Sequence, residues 1–400
     1  MAHAPVYLDS HATTPVDSRV LAAMLPYFTE HFGNPASASH AWGWKAQEAV
    51  EGARREVAAL IGATPREITF TSGATESNNF AVTGVAARAA ADRRGIITSA
   101  IEHKSMLETS KRLGAAGWHV TILPVGRDGR VDLEALASAL RVPTALVSVM
   151  GANNEIGTVQ PLAEIGALAH AAGALFHVDA AQAAGKIPID VNAMQIDLLS
   201  LTAHKMYGPK GCGALFIRKR TDLLPLIVGG GQERGMRSGT LNVPGIVGLG
   251  QACAICRAEM SEESVRLATL RDRLLAGLRA NLDGVIVNGS LEHRLPHNLH
   301  VSFANVDHAS LVLAIGDIAV SSGSACGSAS AEPSHVLLAI GADASENSAT
   351  IRFGLCRLTT ADDIDYTIDK FTTVVRKLRE QPQGDPHAAI TAHNENHRRP

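Results

Sequence analysis

The sequence predicts an α/β protein with a large domain built on a mostly parallel seven-stranded sheet between helices and a smaller α/β domain behind it. Three observations carry this reading. Short β-branched runs alternate with Ala-rich helical runs over the first two-thirds of the chain, and that alternation argues a parallel sheet covered on both faces. A long helical stretch, Pro244 to Leu282, follows Gly229–Gly231 and reads as a bridge. A second set of strands and helices follows the bridge.

The first set of strand candidates is Ile68–Thr71, Gly95–Ser99, His119–Leu123, Ala145–Val149, Leu175–Val178, Leu198–Leu201 and Ala214–Ile217. Helical segments lie between them at Glu76–Ala91, Lys104–Ala116, Leu133–Leu140 and Pro161–Ala171. Beyond the bridge, strands are expected at Val285–Val287, Asn298–Phe303, Ile318–Val320 and Ala349–Phe353. Helices are expected there at His308–Ile315, Ser334–Ile340 and Ala361–Leu378. The domain expectation is an arm over 1–15 packing with the small domain, a large domain over 16–260 and a small domain over 261–379. A polar tail over 380–400 has no hydrophobic period and is expected to be disordered. No internal repeat is evident.

With 400 residues, 46% of them hydrophobic and 19% charged, the composition is that of an ordinary soluble globular protein. A net charge of −3 gives no reason to expect nucleic-acid or anionic-membrane binding. Apolar stretches are short, which argues against a membrane span. The first twenty residues lack the apolar core of a signal peptide. The five cysteines are odd in number and scattered, so they suit a reducing compartment and make a poor disulfide framework. A cytoplasmic enzyme is the expectation.

Ligands of such sheets bind at the carboxyl ends of the strands, so the loops there matter most. Phe70-Thr71-Ser72-Gly73-Ala74-Thr75-Glu76-Ser77 runs from a strand through a small-residue turn into a helix, a place suited to a phosphate. It matches neither of the glycine-rich patterns of nucleoside triphosphate or dinucleotide sites. Asp179 ends an apolar strand in Phe176-His177-Val178-Asp179, where a carboxylate needs a cationic partner or else caps a helix. Lys205 follows another apolar strand, flanked by Thr202 and His204 and stopped by Gly208-Pro209. Such a lysine can serve as a nucleophile, although alone it reads as a surface residue in a turn. Phosphate cradle, strand-end acid and lysine, in that order, are what pyridoxal phosphate needs. Cys326 sits at the centre of Ser321–Ser330, a stretch of Ser, Gly and Ala too small and polar to pack a core. Its composition predicts mobility and exposure, unlike a structural cysteine. Cys253-Ala254-Ile255-Cys256 has metal-like spacing, but it falls in an Ala-rich helical run and reads as a packed pair. His387, His393 and His397 in the tail read as solvated.

These motifs together resemble the cysteine desulfurases, in the class V aminotransferase group of fold-type-I pyridoxal-phosphate enzymes. The likeness runs from Tyr7 to about Leu378 through ATTPVD, FGNPAS, FTSGATES, EHK, NNEIG, HVDAAQ, HKMYGPKG, ERGMRSGT and SSGSAC. It is strongest to the housekeeping branch that supplies sulfur for iron–sulfur cluster assembly and tRNA thiolation. Thr202 stands where Ser is usual, and Gly327 where Thr is common after the cysteine.

The resemblance implies that Lys205 holds the cofactor aldehyde, Asp179 pairs with the ring nitrogen, and His103 stacks on the ring and moves protons. It implies Asn154 and Gln182 near the ring hydroxyl, and Ala74, Thr75, Thr202 and His204 on the phosphate. Thr240 is expected to reach the phosphate of a partner subunit, which implies a homodimer. Arg352, with Asn34 nearby, is expected to clamp the substrate carboxylate. Cys326 is expected to take sulfur from L-cysteine as a persulfide, and to touch a transient iron–sulfur cluster shared with a scaffold protein. Other sulfur acceptors are expected partners. A selenocysteine lyase or cysteine sulfinate desulfinase is the alternative on the same fold. A non-catalytic platform for sulfur-relay partners is the alternative of another class, opposed by intact Lys205, Asp179 and Cys326.

Overall fold

The computed structural model describes residues 4–321, 334–342 and 348–380. Its first half comprises β1 (Val6–Tyr7), α1 (Ser18–Met24), α2 (Pro26–Thr29), α3 (Ala41–Leu60), β2 (Ile68–Thr71), α4 (Ala74–Ala86), β3 (Gly95–Ser99), α5 (Lys104–Ala115), β4 (His119–Leu123), α6 (Leu133–Ala139), β5 (Thr144–Ser148), α7 (Leu162–Ala171), β6 (Leu175–Asp179), β7 (Leu198–Thr202) and β8 (Gly213–Ile217). There follow α8 (Val243–Asn281), β9 (Val285–Val287), β10 (Asn298–Ala304), α9 (His308–Ala314), β11 (Ile318–Ala319), α10 (His335–Ala339), β12 (Ser348–Gly354) and α11 (Ala361–Glu380).

The central sheet has seven strands in the order β2-β8-β7-β6-β5-β3-β4. It is parallel except at β8, which runs antiparallel to β2 and β7. Every residue of β2, β3, β5, β7 and β8 is buried, as expected for strands covered on both faces. Only β4, at one edge, shows exposed positions. Each strand predicted from the apolar runs is present, to within a residue at either end.

The structure departs from the sequence reading in the elements before β2, none of which that reading contained, and in the pairing of β11. Helix α3 was not anticipated. Its inward positions Ala46, Val50, Ala53 and Val57 follow a helical period but are small, so the apolar signal is weak. Strand β11 does not join the small sheet; it pairs in parallel with β1 of the amino-terminal segment. The small sheet therefore contains β12, β10 and β9 only, all antiparallel. Two-residue strands carry almost no local signal, so tertiary contacts decide their partners.

Helix α8 spans about 58 Å at 1.5 Å per residue. Its first half, through Cys256, packs into the core beneath the large sheet, while Leu267, Leu270, Leu274 and Leu278 join the core of the small sheet. Val6 and Leu8 belong to that second core. The CxxC pair lies inside α8, with both cysteines buried. Cys326, the tail and most of its serine-rich loop lie outside the described residues.

Candidate active site

A cleft of ≈ 610 Å³ opens at the carboxyl ends of β6 and β7. It brings together Ala74, Thr75, His103, Asn154, Asp179, Gln182, Thr202, His204, Lys205 and Arg352. Among the described residues, two expected ones are not in its lining. Asn34 is exposed and its Oδ1 accepts from the Ala36 N–H at 3.0 Å. Thr240 is also exposed.

One end of the cleft is the turn between β2 and α4. Gly73 precedes the helix with φ +152° and no side chain caps it, so the first-turn N–H groups of α4 face outward uncapped. The turn is pressed against β8: a Cβ on Gly213 would lie 2.6 Å from Gly73 Cα and 2.5 Å from the Leu201 carbonyl oxygen. Thr202 Oγ1 borders this pocket, 3.5 Å from where a Gly73 Cβ would sit. His204 is fixed by Thr13 Oγ1 at 3.1 Å from its Nδ1. Burial, then the charges of Lys205 and Lys210, push it down to about 4. It is therefore neutral at physiological pH. Farther out, Glu233 is buried against the Arg54 guanidinium at 2.7 Å and accepts from the Phe70 N–H at 2.8 Å, which anchors the segment leading to Thr240.

Deeper in, Asp179 ends β6 almost fully buried. Its Oδ1 accepts from the Ala181 N–H at 2.9 Å and its Oδ2 from Asn78 Nδ2 at 2.7 Å. His103 is the N-cap of α5, its Nδ1 accepting from the Ser105 N–H at 3.1 Å. Next to it Glu102 is wholly buried. Burial pushes its carboxyl up to about 8.

The amino-terminal segment forms the opposite wall. Lys205 follows β7 in a single helical turn, and its Nζ donates to the carbonyl oxygens of His11 and of Ala12, the latter at 2.8 Å. Gln182 is held twice by His11, through Nδ1 at 2.9 Å and through the carbonyl oxygen at 3.1 Å. The His11 ring stacks on His297 with centroids 4.5 Å apart. Arg352, on β12, is 1% exposed. Its Nη2 pairs with Asp9 Oδ1 at 2.7 Å, and its Nη1 donates to the Asn154 carbonyl oxygen at 3.0 Å. Its Nε is buried without a partner. Sequence reasoning missed Asp9, His11, Asn78 and Ser105 as parts of the site. Asp9 lies outside every motif singled out above, and Asp9, His11 and Asn78 each make contacts more than a hundred positions away.

These residues fit pyridoxal phosphate and an amino-acid substrate. The uncapped helix N-terminus and glycine-lined turn suit a phosphate, the buried carboxylate suits a protonated ring nitrogen, and the orphaned Arg352 Nε–H suits a carboxylate. Three of the four described cysteines do not suit sulfur chemistry. Burial pushes Cys212 up to about 12 and raises Cys253 and Cys256, so all three stay thiols.

An α/β fold with this cleft defines a cofactor-holding enzyme of the strand-end type. Residues 6–367 match the aminotransferase class-V family model. A cysteine desulfurase IscS of Anaeromyxobacter sp. (strain K) is 57% identical over 378 residues, covering 94% of each chain. A cysteine desulfurase of Homo sapiens is 51% identical over 378 residues, covering 94% of this chain and 83% of its own. A solved NifS-like protein matches with TM-score 0.88 at 42% identity, over 94% of this chain and 100% of that one. The chain belongs to the aminotransferase class-V family and, within it, to the cysteine desulfurases.

Proposed function

We propose that this chain converts L-cysteine to L-alanine and holds the released sulfur as a persulfide on Cys326, for delivery to acceptors in iron–sulfur cluster assembly and tRNA thiolation. The observation that carries the reading is the single cleft in which Lys205, Asp179, the α4 N-terminus and Arg352 converge. Pyridoxal phosphate, when bound, supplies an electron sink for bonds at the substrate's α carbon. Ala74, Thr75, Thr202 and His204 hold the phosphate. Asp179 keeps the ring nitrogen protonated, Asn154 and Gln182 flank the ring hydroxyl, and His103 covers the ring face. Lys205 Nζ holds the aldehyde and, once displaced, takes the α proton. Arg352, with Asn34 as its companion, binds the substrate carboxylate. The thiol of Cys326 takes the cysteine sulfur, so one thiol and one cysteine become one persulfide and one alanine. The same sulfur atom of Cys326 is the group of this chain that touches a transient iron–sulfur cluster on a scaffold.

A homodimer belongs to this reading. Leu21, Leu25, Phe28, Phe32, Trp42 and Trp44 lie exposed within the stretch 21–44, an apolar surface that a second copy would cover. Asn34 lies within that stretch, and Thr240, also exposed, would then serve the partner's cofactor. The division into an arm, a large domain to residue 260 and a small domain is supported by the change of core partway along α8. No helix among the described residues is long and apolar enough to cross a membrane. Unpaired cysteines support a reducing, cytoplasmic setting.

The reading is tested by alanine release from L-cysteine. The holoenzyme is expected to form alanine, and Cys326→Ser to bind the cofactor yet form almost none. Alanine formation at the wild-type rate by Cys326→Ser would overturn it.

A further inference from the structure

A continuous hydrogen-bond path joins Asp179 to His103, and its polarity follows from the chemistry of each group. As a carboxylate, Asp179 can only accept, and Asn78 Nδ2 donates to its Oδ2 at 2.7 Å. The second proton of the same amide nitrogen goes to Ser105 Oγ at 2.9 Å. Ser105 Oγ keeps its own proton and lies 2.8 Å from His103 Nδ1, which the backbone N–H of the same serine marks as an acceptor, so the hydroxyl donates to it. The Ser105 backbone N–H aims at the same nitrogen from 3.1 Å. Turning the Asn78 amide over would set its Oδ1 against the Asp179 carboxylate. That Oδ1 is already buried without a partner, so the side chain forgoes one hydrogen bond to keep the other two.

We propose that Asn78 and Ser105 are positioning residues that lock His103 as its Nε2–H tautomer, with two donors on Nδ1 and a proton presented at the other ring nitrogen. His103 lines the cleft, so its Nε2 meets a bound molecule there as a hydrogen-bond donor and not as an acceptor. The path also ties three functions to two helices. Helix α4 offers its N-terminus to the phosphate and carries Asn78. Helix α5 carries Ser105 in its first turn and His103 as its cap. A shift of α4 therefore moves the phosphate seat, the Asp179 partner and the histidine lock together. The consequence for turnover rests on the desulfurase reading; the tautomer does not.

The test is nitrogen NMR of the uniformly ¹⁵N-labelled full chain, with and without cofactor, His103 being assigned by its loss in His103→Gln. The expected result is an Nε2-protonated ring in both forms. In Ser105→Ala and Asn78→Ala the Nδ1 resonance is expected to move, and in Ser105→Thr, which keeps the hydroxyl, to return. Alanine formation in Ser105→Ala is expected to fall on the order of tenfold in kcat with little change in KM, and to recover in Ser105→Thr. An Nδ1-protonated wild-type ring, or an Nδ1 resonance unmoved in both alanine variants, overturns the proposal. Absence of alanine from wild-type holoenzyme, with the tautomer as stated, overturns the desulfurase reading and leaves the lock standing.

Discussion

The two ends of the cleft are held by different kinds of structure. The end proposed for the phosphate and ring nitrogen is made where three strands of one sheet end: β2 into α4, β6 into Ala181 and β7 into Lys205, with β8 between β2 and β7. Asp179 is bonded there by Asn78 and Ala181, while Lys205 and His204 also lean on Ala12 and Thr13 of the amino-terminal segment. The carboxylate end is gathered from far apart in the chain. Arg352 meets Asp9 across 343 positions and the Asn154 carbonyl across 198. One end is rigid because its backbone belongs to a sheet covered on both faces. The other depends on the small sheet and the amino-terminal segment staying docked. Chemistry should therefore respond to changes at the first end, and substrate affinity to changes at the second.

The largest expected effect is at the first end. Lys205→Ala should cost about a thousandfold or more in alanine formation, as loss of a covalent nucleophile does. Its fold, followed by circular dichroism, should be unchanged. At the second end, Arg352→Lys should lower kcat/KM for cysteine by about a hundredfold, mostly through KM. A lysine cannot give two parallel hydrogen bonds to a carboxylate, and Asp9 would still claim its charge. A kcat defect with unchanged KM would erase the division between the two ends. Gly213→Ala is smaller and more selective. Its Cβ meets backbone at Leu201 and Gly73, so the phosphate turn must move. Cofactor affinity by titration should fall about tenfold while cysteine KM in saturated enzyme holds.

The smallest effects are on stability against pH. Burial lowers His177 and His300 to about 3 and His204 to about 4. These rings bind protons more readily unfolded than folded, so stability is full above the unfolded value near 6.5 and is lost as pH falls toward 3. Glu102 has the opposite sign. Its carboxyl is pushed up to about 8, so the folded state holds more protons between 4.5 and 8, and stability falls as pH rises through that window. Thermal melts should show the acid loss in wild type. Glu102→Gln should remove the decline toward pH 8, a matter of a few degrees in Tm.

The same contrast decides what could be read from sequence. The strands of the large sheet were legible because each is an apolar run closed by a turn. The turn after β2, Asp179 and Lys205 stood out because each ends or follows such a strand, whereas the parts given to Ala74, Thr75, Thr202 and His204 came from the resemblance. Asp9, His11 and Asn78 were not, since the contacts that bring them to Arg352, Asn298 and Asp179 span 101 to 343 positions. Helix α3 was hidden by alanines on its inner face, and the pairing of β11 with β1 was hidden by the shortness of both. Asn34 and Thr240 lie exposed and outside the cleft lining, and their proposed roles come from the resemblance alone.

The central claim is that sulfur leaves cysteine and rests on Cys326. The most direct measurement is peptide mass spectrometry of the full-length holoenzyme after brief exposure to L-cysteine, with alkylation to trap persulfides. The account predicts one added sulfur on the peptide holding Cys326, and none there in Lys205→Ala. Added sulfur confined to Cys212, Cys253, Cys256 or Cys356, or equal labelling in Lys205→Ala, would contradict it.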